Sequence, residues 1–139
     1  MSRFVIDAVT LVSVLETGRR FDPEHQLVAP GAVRSQALQL LFTRVADGDL
    51  AEREALRIHE RLTETRIRLL NDRVSRRAAW DLAHSQGWPK LRDAEYLALV
   101  RLQADALVTV DERLAALAEG IVDVRPLDAA LLAQDASRP

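Results

Sequence analysis

Cysteine is absent from this chain of 139 residues, which excludes disulfides and thiolate metal sites and fits a reducing compartment. Lysine is nearly absent too. Lys90 is the only one, so the cationic side chains are arginines, whose planar fork of donors suits phosphate. No apolar run approaches the ~20 residues of a membrane span. The N-terminal run is short and interrupted by Asp7, unlike a signal peptide. A large excess of one charge is also missing. The formal net charge of −2 gives no whole-protein attraction to nucleic acid, so binding RNA or DNA would need a local basic patch. No P-loop or Gly-x-Gly fingerprint supports a nucleotide-cofactor fold, and there is no internal repeat or linker. A soluble, cytoplasmic domain with a single core is the expectation.

What is present is an alternation of short apolar runs with helical patterns. Residues 3–7 read as a strand and 8–16 as a helix, with Val9, Leu11, Val12 and Leu15 at helical spacing. Residues 18–30 read as a loop rich in turn residues, holding a brief extended piece at 27–29. Helices are expected over about 31–46 and 50–64, a short strand at 66–70, and a helix over 73–86 stopped by Gly87 and Pro89. A helix over 93–104, the strand "ALVTV" at 106–110, a helix over 111–118 and the strand "IVDV" at 121–124 complete residues 1–125. The Ala-rich tail, 126–139, has room for a helical turn or two and is expected to fray. Short apolar strands between helices predict an α/β fold, a three-layer α/β/α sandwich around a parallel sheet of four to five strands. Ligands of such sheets bind beyond the carboxyl ends of the strands.

Three aspartates occupy that kind of position. Asp7 follows "FVI", Asp111 follows "LVTV", and Asp93 opens the helix "DAEYLALVRL". Taken singly, each is also a favoured N-cap. Together, carboxylates crowded at one sheet edge must hold a cation or raise a pKa. Mg²⁺ or Mn²⁺ is the natural occupant, because hard ions prefer carboxylate oxygen. Such an ion lowers the pKa of bound water and stabilises charge on a phosphate, the chemistry of phosphodiester hydrolysis.

The stretches "FVIDAV" and "LRDAEYLALVRLQADALVTVDERLAAL", with the order of elements between them, resemble PIN domains. More narrowly, they resemble VapC-type ribonuclease toxins of toxin–antitoxin pairs. The resemblance runs from Phe4 to about Val124 and is most specific at Asp-x-x-Tyr-x-Ala-Leu (93–99) and Leu-Val-Thr-x-Asp (107–111). It implies an α/β/α sandwich, metal-binding acids at Asp7, Asp93 and Asp111, and a supporting hydroxyl at Thr109. It also implies an RNA substrate of the tRNA or ribosomal RNA class, a homodimer, and neutralisation by a cognate antitoxin.

Two positions depart from that pattern. Where the family carries a Ser-Glu-like pair, this chain has Ser35-Gln36. On helical spacing Gln36 falls beside Val33, Ala37 and Leu40, and its amide oxygen can serve as a weak or water-mediated ligand. A working three-aspartate nuclease (helped by Glu16, Glu95 or Glu112), a degenerate module that binds without cutting, and a residue substituted for a native acid all fit. The Ser or Asn often found two residues after the first acid is replaced by Val9, with Thr10 beside it.

An arginine stripe, Arg53, Arg57 and Arg61, is the candidate contact for an RNA backbone. It reads equally as a solvated face with internal ion pairs. His25, His59 and His84 lack ligand spacing, so packing or surface roles are expected. Trp80 and Trp88 are expected as core or interface anchors. A phospho-acceptor receiver fits less well, because Asp7 stands alone and Lys90 lies in a loop.

Overall fold

The strand "FVI" is apolar on both faces, as a strand inside a covered parallel sheet must be, and Phe4, Val5 and Ile6 are all buried. In the computed structural model, which describes residues 1–133, this strand is β1 (Arg3–Ile6). It leads through Asp7 into α1 (Ala8–Thr17). Burial nearly all around α1, at Ala8, Thr10, Leu11, Val12, Val14 and Leu15, makes it a core helix. It ends at Gly18, whose φ of 78° is the left-handed cap that glycine adopts without strain.

The chain continues as β2 (Gln26–Pro30), α2 (Val33–Ala46), α3 (Glu52–Glu64), β3 (Arg68–Leu70), α4 (Arg73–Gln86), α5 (Leu91–Gln103), β4 (Ala106–Val108), α6 (Glu112–Ala118) and β5 (Val124–Arg125). The five strands form one sheet in the order β3-β2-β1-β4-β5, every pair parallel. Helices α1, α2 and α3 pack on one another, whereas α4 packs on α5 and α5 lies against β1, β2 and β4. With the right-handed crossovers that parallel strands adopt as a rule, this order assigns the first three helices to one face and the later three to the other. The result is the expected α/β/α sandwich.

Several boundaries differ from the sequence reading. The segment read as a loop with a brief extended piece forms β2, a full strand between β1 and β3. Its flanks are turn-rich, but Leu27, Val28 and Ala29 are buried as a central strand requires. The last strand falls at Val124–Arg125 rather than 121–124. Ile121 and Val122 instead continue the turn closing α6, both donating N–H to the Ala118 carbonyl. Helix α5 begins two residues before Asp93, so Asp93 lies in its first turn rather than at its start.

Within the tail expected to fray, Leu127–Ala130 forms a 3-10 turn, and Ala130 and Leu131 are buried. Asp22 N–H donates to the Ala130 carbonyl and Leu132 N–H to that of Arg20, each at 2.9 Å. Residues 134–139 of that tail lie outside the described residues. No helix among the described residues is long and apolar enough to cross a membrane.

Candidate functional site

The strand order explains why Asp7 and Asp111 meet. The chain builds β1, β2 and β3 outward on one side, then returns to add β4 on the other side of β1. The order therefore reverses between β1 and β4, and the crevice outside their carboxyl ends is the topological switch point where such sheets bind ligands. Asp7 leaves β1 there, and Thr109 to Asp111 leave β4 there. Ile6 and Val108 are paired in register, so the two exits are level.

A pocket of about 470 Å³ opens at this point, and its lining includes Asp7, Asp93, Asp111, Gln36, Tyr96 and Arg113. The volume is in the range of small-ligand sites. Asp7 is 4% exposed. Burial pushes its carboxyl above the ordinary 3.8, and the like charge of Asp111 adds to that, while hydrogen bonds from Thr10 and Thr109 oppose it.

Thr10 is the centre of the local wiring. Its hydroxyl donates to Asp7 Oδ1 at 2.5 Å and accepts the Val110 N–H at 2.9 Å. The Thr10 and Thr109 hydroxyls are 3.3 Å apart, and Thr109 Oγ1 accepts the Asp111 N–H at 3.0 Å. Two threonines thus tie the start of α1 to the turn after β4. Asp111 also serves as the N-cap of α6, its Oδ1 accepting from Arg113 N–H at 2.9 Å and Leu114 N–H at 3.3 Å. The capping and site readings of this residue are compatible, since its second oxygen is not used in the cap.

Asp93 is held differently. Arg113 Nη1 and Nη2 donate to its two oxygens at 2.8 Å each, a bidentate pair. Arg113 Nη2 also stands 3.8 Å from Asp111 Oδ2. Gln36 accepts a short hydrogen bond from the Tyr96 hydroxyl through Oε1. The phenol's pKa is raised, first by burial and then by the charge of Asp7. A glutamate at position 36 could accept the same bond.

The other sequence-predicted residues lie elsewhere. Arg53, Arg57 and Arg61 are not among the pocket's lining residues. Arg57 pairs with Glu54, and Arg61 Nη1 turns inward to the Leu15 carbonyl at 3.0 Å. Glu16 is drawn to Arg44 at 2.8 Å. His25 accepts the Ser2 N–H at 3.0 Å and stacks near Phe4. Trp88 packs against the core, and Trp80 is 59% exposed. Sequence reasoning assigned no role to Tyr96, Arg92 and Arg113, which line the pocket, or to Thr10, which braces Asp7 from behind it. Thr10 had a signal, a hydroxyl one turn into a helix that begins at an acid; the arginines had none.

The donors fit a hard divalent cation in kind, being carboxylates around one pocket with a buried acid at its base. Among the described residues, however, no group of three or more His, Cys, Asp or Glu side chains stands close enough together to hold a metal ion.

The sheet order and the three layers are those of a PIN-like fold. Among solved structures, PAE2754 from Pyrobaculum aerophilum matches at a TM-score of 0.67 with 17% identity, covering 92% of each chain. VapC20 of Mycobacterium tuberculosis, a toxin that cleaves the sarcin–ricin loop, matches at 0.58 with 19% identity, over 88% of this chain and 99% of that one. VapBC-1 from nontypeable Haemophilus influenzae matches at 0.56 with 16% identity, over 91% and 98%. No family model matches the chain, and no curated protein matches its sequence.

Proposed function

We propose that this chain is a metal-dependent endoribonuclease of the VapC kind, hydrolysing RNA phosphodiester bonds and neutralised by a cognate antitoxin. The observation that carries this reading is Asp7, a buried carboxylate at the switch point sharing one pocket with Asp93 and Asp111. Burying an ionised acid costs stability unless it is paired, and its two threonine partners orient it without neutralising it. On this reading Asp7, Asp93 and Asp111 would draw together to hold Mg²⁺ or Mn²⁺, with Gln36 contributing at most a neutral oxygen. When bound, the ion supplies Lewis-acid stabilisation of charge on a phosphate under attack.

The chain's own residues do the rest. Thr10 orients the Asp7 carboxylate, Thr109 holds the Asp111 backbone, Tyr96 fixes the Gln36 amide, and Arg92 with Arg113 favours the approach of a phosphate to the pocket. A tRNA or ribosomal RNA substrate, a homodimer and a cytoplasmic setting belong to the same reading.

The test is RNA cleavage with Mg²⁺ or Mn²⁺, with chelator, and with the Asp7→Asn variant. Cleavage abolished by both chelator and substitution supports the nuclease; equal cleavage by both proteins points to a contaminant. A second reading, a PIN-like module that binds RNA or protein without cutting, is favoured by Gln36 standing where an acid is expected. It predicts no metal-dependent cleavage by the intact chain.

A further inference from the structure

Arg113 sits where a cation is required, yet it belongs to the protein. It occupies the first turn of α6, the positive end of the helix dipole, where a cationic side chain is disfavoured. Its guanidinium nevertheless clamps both oxygens of Asp93 at 2.8 Å and reaches within 3.8 Å of Asp111. Two of the three pocket aspartates are thus engaged by one guanidinium, and both oxygens of Asp93 accept from it. The Arg113 side chain is 62% exposed while that of Asp93 is 17% exposed, so the cation comes from the solvent side and can leave without disturbing the core. It also has somewhere to go. A neighbouring groove of about 890 Å³, lined by Trp88, Lys90 and Glu95 among others, shares Arg92, Asp93 and Arg113 with the acidic pocket.

We propose that Arg113 is a built-in counter-ion that a divalent cation must displace from Asp93 and Asp111 before the carboxylates can close around it. This deepens the metal-dependent reading and rests on it. Arg113 is a positioning residue here, setting how readily the acids accept a metal. The competition is direct, because a guanidinium and a metal ion are both cations that would sit against the same carboxylate oxygens. It makes divalent-ion affinity lower than three carboxylates alone would give.

The experiment measures Mn²⁺ binding by titration calorimetry on the full chain and on Arg113→Gln, Arg113→Lys and Arg92→Gln, with folding checked by thermal melts. Arg113→Gln is expected to bind Mn²⁺ about tenfold more tightly, the size of effect for removing a unit charge near the carboxylates. Arg113→Lys should fall between, keeping the charge without the fork. Arg92→Gln removes a pocket charge with no bond to the acids and should change affinity less than about twofold. Equal or weaker binding by Arg113→Gln overturns the proposal while leaving the metal site standing. No Mn²⁺ binding by any of the proteins overturns both. An equal gain in Arg113→Gln and Arg92→Gln also overturns it, showing a general field rather than occupancy.

Discussion

Replacing Asp7 by Asn should stabilise the metal-free protein while removing the function proposed for the residue. Asp7 is 4% exposed, and ionising it there sets desolvation against its hydrogen bonds. Thr10 donates to Oδ1 at 2.5 Å, and a bond to a charged group contributes roughly 1.5–3 kcal/mol. Desolvating a carboxylate costs several kcal/mol, and the like charge of Asp111 adds to that cost. The raised pKa of Asp7 shows that the unfavourable side prevails. Asparagine has nearly the same shape, and its Oδ1 can accept from Thr10 without carrying a charge. The expected gain at pH 7 is about 1–2 kcal/mol, or roughly 3–8 °C in Tm for a chain of this size.

The sign of the pH dependence follows from linkage. Asp7 binds its proton more tightly folded than unfolded, so its contribution is fully present below 3.8. It is lost as pH rises through the higher folded-state value. The advantage of the Asn variant should therefore open across that window and close below it. Thermal unfolding in chelator, followed by circular dichroism at matched pH values, measures this. An Asn variant less stable than the parent at pH 7, or a gain of the same size at pH 3, would refute the reasoning.

Thr10→Val should cost about 2–3 kcal/mol in urea unfolding, because it strips a partner from both Asp7 and the Val110 N–H; Thr10→Ser should recover most of it. Gln36→Glu keeps an acceptor for Tyr96 and adds a carboxylate to the pocket, so Mn²⁺ should bind roughly tenfold more tightly. Unchanged affinity in calorimetry would put Gln36 outside the site. Removing Arg53, Arg57 and Arg61 together should weaken RNA binding and flatten its salt dependence if the stripe contacts the backbone. Salt-dependent binding that survives the triple change would sink that contact.

Much of this molecule was legible in the chain alone. Apolar runs such as "FVI" and "ALV" must be covered on both faces, which fixes them as parallel strands, and the intervening patterns fix the helices. The aspartates after "FVI" and "LVTV" were visible as acids at strand ends for the same reason. Strand β2 was less legible, since its three buried residues are flanked by Gln26 and Pro30 in a turn-rich region. Only its place between β1 and β3 makes it a central strand.

Tertiary structure decided the rest. Which strand lies beside β1 depends on pairings between segments about a hundred residues apart, and local pattern carries no record of them. That choice put β4 next to β1 and brought the Thr10 hydroxyl to the Val110 N–H. It also set the partners of the charges. Arg61, read from the sequence as part of an RNA-facing stripe, is folded back on the Leu15 carbonyl, while Arg113, which no motif singled out, holds Asp93. Side-chain type is written in the sequence; which opposite charge a side chain meets is a property of the packed fold.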